Sequence, residues 1–317
     1  MIIIKVDPDK PEREKIEKAA EIIRRGGLVA FPTETVYGLG ADALNEKAVK
    51  KIFEAKGRSA RNPLIVHVSS KEQVYKVAHV NETAEMLMDR FFPGPLALVL
   101  KKKGIVPDIT TAGMDKVAVR MPDHAVALML IELSKTPLAA PSANVSGKLS
   151  PTKPEHVLED LGDKIDALID GGEVKIGIES TVLDLTLKPP KILRLGAITP
   201  EMLEKAGVKV EIKETRSFLH YRTEAKLRIA EARQIPQLVR ELKNKGLRVG
   251  VASITASCEA DEVVRLGKTL EEVAKNLFSV LRELEKKVDV IVVERVEEKG
   301  LGRAIMRKLE EAYLASK

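Results

Sequence analysis

Residues Leu28 to Gly40 read Leu-Val-Ala-Phe-Pro-Thr-Glu-Thr-Val-Tyr-Gly-Leu-Gly, and the reading of the fold starts from this stretch. The apolar run Leu28 to Phe31 has the look of a buried strand. Pro32 ends it, because proline has no amide hydrogen for a ladder. Three small polar side chains follow, Thr33, Glu34 and Thr35. Gly38 and Gly40 allow close backbone approach or a positive φ. Open α/β sheets place their sites where polar groups project from the end of a buried strand. An ordinary strand-to-helix loop accounts for these residues equally well. What favours a site is that further polar clusters stand at similar strand ends later in the chain.

Working outward, Ile2 to Val6 reads as a strand. A helix is predicted from about Pro11 to Arg25, with Ile16, Ala19, Ala20 and Ile23 on one face and Gly26-Gly27 as its stop. Asn45 is placed to cap a second helix that buries Ala48, Val49, Ile52 and Phe53. That helix runs into the basic loop Lys56 to Pro63, broken by Gly57 and Pro63. Strands are expected at Leu64 to Val68, Leu96 to Leu100, Val117 to Arg120, Leu138 to Ala140, Ala167 to Asp170, Thr181 to Leu185 and Ile192 to Arg194. Helices are expected at Ser70 to Val77, Glu82 to Phe92, His124 to Ser134, Pro154 to Leu161 and Thr199 to Ala206. Several connections are too short for a crossover helix, so strands of both senses share the sheet. Val208 to Ile212 closes this part.

Residues 213 to 230 lack clear periodicity, carry many charges and read as a linker. Beyond them strands and helices alternate: helices near Ile235 to Lys245, Leu270 to Lys286 and Arg303 to Leu314, strands at Leu247 to Ala252 and Val288 to Val293. This predicts a small parallel-sheet, Rossmann-like domain. The expected organisation is therefore an α/β protein with a catalytic domain over 1–212, a linker over 213–230 and an accessory α/β domain over 231–317.

Composition narrows the function classes. The chain has 317 residues, 44% of them hydrophobic, and no apolar run near the roughly 18 residues of a membrane helix. Met1 leads straight into Ile2-Ile3-Ile4, so no secretory leader is expected. A single cysteine, Cys258, leaves no internal disulfide and no cysteine-based zinc cluster, which suits the cytoplasm. The formal charge of +6, from 53 Lys+Arg against 47 Asp+Glu, suits anionic small molecules better than extended nucleic acid.

Five clusters carry chemistry. Lys56, Arg58 and Arg61, beside Asn62, could hold a polyphosphate through guanidinium forks and a lysine point charge. Ser142, Asn144, Ser146 and Ser150 offer hydroxyls and an amide to a phosphate or a purine edge. Glu179-Ser180-Thr181 precedes a strand, while Arg194-Leu195-Gly196 and Arg120 put arginines at strand ends. Each alone reads equally as surface. Other motifs fail. Gly267-Lys268-Thr269 lacks the first glycine of a phosphate loop, since Glu262 stands there. Gly38-Leu39-Gly40-Ala41-Asp42-Ala43 follows a polar loop, not the strand a dinucleotide fold needs. His67, His79, His124, His156 and His220 show no metal spacing, and no metal-ligating residues are expected.

Together, Pro32-Thr33-Glu34-Thr35-Val36-Tyr37-Gly38, Lys56-Gly57-Arg58, Pro141-Ser142-Ala143-Asn144, Ser150-Pro151-Thr152, Glu179-Ser180-Thr181 and Arg194-Leu195-Gly196 resemble the YrdC-like threonylcarbamoyl-AMP synthases in order and spacing, over about residues 10 to 210. The remainder is similar to the extra domain of the long, two-domain form, through Asn276-Leu277-Phe278, Leu281-Arg282 and Gly300-Leu301-Gly302-Arg303-Ala304-Ile305. The resemblance implies a twisted mixed sheet and a nucleotidyltransferase that joins L-threonine, bicarbonate and ATP with release of pyrophosphate. Its product would pass to a separate complex that modifies adenosine 37 of ANN-decoding tRNA; direct tRNA contact is left open. It implies Thr35, His67, Arg120, Ser180 and the backbone at Ala140 around threonine. Lys56, Arg58, Asn62, Lys116, Ser142, Asn144, Ser150, Arg194 and Tyr221 would serve ATP, with Lys56 and Arg58 as catalytic cations and Mg2+ on the phosphates. Such chemistry rests on positioning and charge, with no covalent protein intermediate.

Two departures from the pattern stand out. The long form carries a Pro-Gly-Met-x-Tyr-x-His-Tyr linker, of which Leu219-His220-Tyr221-Arg222, after Arg216-Ser217-Phe218, keeps only the His-Tyr pair. Arg307-Lys308 stands where the family has Asn-Arg. Two other function classes are weighed. An RNA- or nucleotide-binding module of the same fold would show a steep salt dependence, but 3% aromatic residues make a poor stacking platform. Carbamoyl transfer of the hydrogenase-maturation type needs zinc-finger cysteines that this chain lacks.

Overall fold

The computed structural model describes residues 1–213 and 221–316. In chain order the first part holds β1 (Ile2–Lys5), α1 (Arg13–Arg24), β2 (Val29–Phe31), β3 (Gly38–Asp42), α2 (Glu46–Lys56), β4 (Ile65–His67), α3 (Lys71–Val77), β5 (Ala78–His79), α4 (Glu82–Phe91) and β6 (Leu96–Lys102). It continues through α5 (Asp108–Thr111), β7 (Lys116–Arg120), α6 (Ala125–Ser134), β8 (Leu138–Ala139), α7 (Pro154–Leu161), β9 (Ala167–Asp170), β10 (Thr181–Asp184), β11 (Lys191–Arg194), α8 (Pro200–Lys205) and β12 (Glu211–Ile212).

The helices form for local reasons that the sequence states. On α1 the stripe Ile16, Ala19, Ala20 and Ile23 is fully buried. The Asn45 side chain accepts from the Lys47 and Ala48 amides at the start of α2, and Gly57 ends that helix at φ +61, where an L side chain would be strained. These two caps fix where Lys56 and Arg58 leave the helix.

The strands make one mixed sheet, ordered β1-β9-β2-β3-β8-β4-β7-β6-β10-β11-β12, with β5 on β6. Pairs β4/β7, β6/β10 and β2/β9 are parallel, whereas β2/β3, β3/β8, β4/β8, β6/β7 and β10/β11 are antiparallel. One hydrophobic cluster, with Leu39, Val66, Leu98 and Val119, packs one face. Another, with Ile16, Ile23, Phe31 and Leu130, lies beneath α1 and α6.

The second part holds β13 (Lys226–Ala230), α9 (Ile235–Lys243), β14 (Val249–Ser253), β15 (Glu262–Arg265), α10 (Leu270–Leu284), β16 (Val290–Glu294) and α11 (Leu301–Ala315). Its four strands, ordered β13-β16-β14-β15, are all parallel. Val273, Ala274, Leu277, Leu281 and Leu284 are buried on α10, the face expected from their spacing. Glu294, buried at the end of β16, accepts from the amides of Ile254, Thr255 and Ala256.

Two local expectations need correction. Gly38 to Asp42 is a strand, and Gly38 and Gly40 are there because the Phe31 ring packs against them; a Cβ at Gly40 would meet that ring at 2.8 Å. The segment expected as a linker, 213–230, contains β13, whose leucine and isoleucine alternate with lysine and arginine. Arg216, Ser217, Phe218, Leu219 and His220 lie outside the described residues. The chain divides into two compact units, and the short segments Gly147–Ser150 and Ile176–Ile178 belong with the second. No helix of the described residues is long and apolar enough to cross a membrane.

Candidate active site

The register places the site on a face of the sheet. His67 is paired with Arg120 across β4 and β7. Val119 opposite Leu98 puts Arg120 beside Ala97, Ala97 pairs with Val182, and Val182 pairs with Arg194. His67, Arg120 and Arg194 therefore stand in one row across five strands, and residues of one row project from the same face. Val66 and Val119, one position back, point into the core on the other side. Strand ends were expected to converge on one crevice, and His67, Arg120 and Arg194 do end β4, β7 and β11 in this row; β2 and β8 run opposite to β4 and β7, so Thr35 and Ser142 leave from the other end of the strands.

The first loop is held by Thr33. Its Oγ1 donates to the Val36 carbonyl at 2.6 Å, accepts from the Thr35 amide at 3.2 Å and lies 3.0 Å from Thr35 Oγ1. This turn brings Glu34 to Arg120, with Oε2 and Nη2 2.6 Å apart and both side chains 5% exposed. The role of Glu34 was not read from the sequence. Its signal was a carboxylate between two threonines at the end of an apolar run, where nothing apolar can satisfy it.

Ser180 lies at the start of β10, where the Arg194 guanidinium holds it. Arg194 Nε donates to the Ser180 carbonyl and Nη2 lies 3.0 Å from its hydroxyl. Gly196 makes this possible, since a Cβ there would sit 2.3 Å from the Glu179 carbonyl and 2.5 Å from the Thr181 nitrogen. Ala140 follows β8, its amide donating to the Ile65 carbonyl at 3.0 Å. Thr35, His67, Arg120, Ala140, Ser180 and Arg194 are thus all on the first unit's sheet or its adjoining loops.

The basic loop is built differently from a free cationic turn. Lys56 is buried, and its ammonium donates to the carbonyls of Ser142, at 2.6 Å, and Asn144. The Lys56 carbonyl accepts from the Ser146 amide at 2.8 Å. Lys56 therefore ties the Ser142–Asn144 loop to the end of α2. Burial, then the charge of Arg58, lowers Lys56 to about 7, with Asp160 opposing. Burial, then Arg194, lowers Arg58 to about 10, and its Nε has no hydrogen-bond partner among the described residues. Burial, then Arg120, holds His67 down at about 3, with Arg194 adding to the effect. His67 is a neutral ring, edge-on to Phe31. Lys56 and Arg58 oppose one another, as do Arg58 and Arg194, and an anionic ligand would relieve that repulsion. Asn62 is half-buried in the same loop.

Of the expected residues, Lys116 is not brought into this cluster. Lys116 shares the face of Arg120 but lies four positions back along β7, about 13 Å. Its ammonium is 2.7 Å from Asp184, which is fully buried, so its charge is already compensated. Ser150 and Tyr221 belong to the second unit. There the Tyr221 ring packs at 5.2 Å on Phe278, with the Lys308 ammonium 5.5 Å from its centroid. No group of three or more His, Cys, Asp or Glu placed for a metal occurs among the described residues.

Comparison with known proteins identifies the family. Residues 21–196 match the Sua5/YciO/YrdC family model, described as "Telomere recombination", and residues 196–313 match "Threonylcarbamoyl-AMP synthase, C-terminal domain". The chain is 51% identical to the threonylcarbamoyl-AMP synthase of Pyrococcus abyssi, over 98% of this chain and 97% of that one. It is 44% identical to that of Bacillus subtilis, over 94% and 92%. A crystal structure of Pyrococcus abyssi Sua5 complexed with L-threonine superposes with a TM-score of 0.95 at 50% identity, covering 100% of this chain and 98% of that one. With its polar face, its mixed sheet and its separate parallel-sheet unit, the chain belongs to the Sua5/YciO/YrdC family, in the form that carries the Sua5 C-terminal domain.

Proposed function

We propose that this chain is a nucleotidyltransferase that makes L-threonylcarbamoyl-AMP from L-threonine, bicarbonate and ATP, releasing pyrophosphate. The observation that carries the reading is the run of opposing cations, buried Lys56 and half-buried Arg58 and Arg194, with Arg194 held on Ser180. Like charges gathered in a low-dielectric site oppose folding and favour a polyanion. The near-full-length kinship with threonylcarbamoyl-AMP synthases supports the same reaction.

In this reading Thr35, His67, Arg120, Ala140 and Ser180 surround threonine. Arg58, Asn62, Ser142, Asn144 and Arg194 meet ATP, which arrives with Mg2+ on its phosphates. Lys56 acts first as the strut of the Ser142–Asn144 loop and second as a charge. The threonine amine takes up bicarbonate as a carbamate, and the carbamate oxygen attacks the α-phosphorus. Arg58 and Arg194 stabilise the charge that collects on the leaving pyrophosphate. The product serves a separate transferase that modifies tRNA.

The test is incubation with ATP, L-threonine and carbon-13 bicarbonate, followed by mass analysis of nucleotides. The label is expected in an adenylate that also contains threonine. Binding of ATP and threonine with no labelled adenylate would contradict the proposal.

A further inference from the structure

The Glu34–Arg120 pair is incomplete as it stands. The two groups are 2.6 Å apart and each 5% exposed, yet the contact lacks hydrogen-bond alignment. Glu34 Oε1, Glu34 Oε2 and Arg120 Nη2 have no hydrogen-bond partner among the described residues. Arg120 Nε reaches the Gly94 carbonyl at 3.3 Å, so only part of the guanidinium is used. Two charges removed from water with hydrogen-bonding capacity unfilled make an unfavourable arrangement, and buried polar atoms without partners call for an explanation. The capacity left over is a carboxylate and part of a guanidinium, side by side, where Arg120 stands in the row with His67.

An α-amino acid presents the complementary set, a carboxylate and an ammonium on one carbon. We propose that Glu34 and Arg120 together read this zwitterion, and that Glu34 then takes the proton that frees the amine. The inference rests on the threonine reading above. Arg120 receives the α-carboxylate and Glu34 Oε1 receives the α-ammonium. One N–H bond breaks, its proton passes to the Glu34 carboxylate, and the electron pair stays on nitrogen. The amine attacks bicarbonate. The C–N bond forms, the C–OH bond breaks, and the departing hydroxide takes a second amine proton as water. The carbamate is left with one negative charge, on the oxygen that next attacks ATP. The proton on Glu34 passes to solvent once the product has left.

The experiment uses the full chain and its Glu34→Gln variant, which keeps shape and loses the base. Threonine-dependent pyrophosphate release is measured from about pH 7 to about pH 9.5 at saturating ATP and bicarbonate. The expected result is a roughly 10²-fold loss for Glu34→Gln near neutrality, recovering as rising pH supplies free amine. A variant equal to wild type throughout, or one depressed equally at every pH, would overturn the proton role. A second measurement needs no variant. Wild-type protein is titrated with L-threonine and with 2,3-dihydroxybutanoate, in which a hydroxyl replaces the ammonium. About tenfold or greater preference for threonine is expected, because a neutral hydroxyl gives the buried carboxylate one donor and no opposing charge. Equal affinity would overturn the zwitterion reading, whatever the enzyme assay gives. Wild-type protein that binds threonine selectively but releases no pyrophosphate would count against the synthase reading and leave Glu34 as an amino-acid recogniser.

Discussion

Arg58 and Lys56 stand two residues apart and should fail in opposite ways. Arg58 makes one long contact, to the Pro63 carbonyl at 3.3 Å, and faces the charges of Arg194 and Lys56. Its replacement by alanine should leave apo stability within about 0.5 kcal/mol of wild type while weakening ATP binding by roughly ten- to a hundredfold. Lys56→Ala strands the carbonyls of Ser142 and Asn144, so it should cost about 1–3 kcal/mol of stability together with activity. Urea unfolding and ATP titration on both variants check this; equal stability loss in the two would make Arg58 structural. His67 predicts a pH effect. Its folded value, about 3, lies below the ordinary 6.5, so between them the unfolded chain binds a proton that the folded chain does not. The contribution is complete above pH 6.5 and is lost as pH falls through that window. Wild type should lose stability between about pH 6.5 and about pH 5, by up to roughly 1 kcal/mol per pH unit. His67→Gln should flatten that slope, with buried His124, held near 4, accounting for part of what remains. An unchanged slope in His67→Gln would contradict the neutral, desolvated ring.

At the scale of elements, the turn after β11 decides whether Arg194 reaches Ser180. Gly196→Ala places a Cβ against the backbone of Glu179 to Thr181, and backbone cannot yield as a flexible side chain does. The expected outcome is a loss of about 1–3 kcal/mol with a raised KM for both threonine and ATP. Wild-type stability and kinetics would show that the turn has room. The same scale shows what the sequence could disclose. Helices α1, α2 and α10 were legible because a 3.6-residue apolar period and a cap mark them. Strand β3 was hidden, since Gly-Leu-Gly-Ala-Asp has no β-branched residue and its glycines read as turn signals. Strand β13 was hidden by the charges of Lys226 and Arg228, and β15 by its exposed edge, Glu262–Arg265. The polar residues of the site were legible as clusters. Their convergence was not, because it depends on register: His67, Arg120 and Arg194 come from strands that are far apart in sequence and meet only through pairing. The pairing of Lys116 with Asp184 was hidden for the same reason, since nothing local announces it.

For the whole molecule, the residues that carry the proposed chemistry of threonine and phosphate are concentrated in the first unit, on one face of a mixed sheet. The second unit is a self-contained parallel sheet with its own core, Ile235, Val239, Val251 and Val292 among it. Its Glu294 already fills the amides of residues 254 to 256, so that nest is not an open phosphate site. The account therefore assigns bond making to the first unit's face and requires all three substrates there together. The most direct measurement is pyrophosphate release by the full chain with ATP, with L-threonine and bicarbonate omitted in turn. Release that collapses to background when either is left out is the predicted result. Release that continues without threonine, or is absent with all three present, would contradict the account.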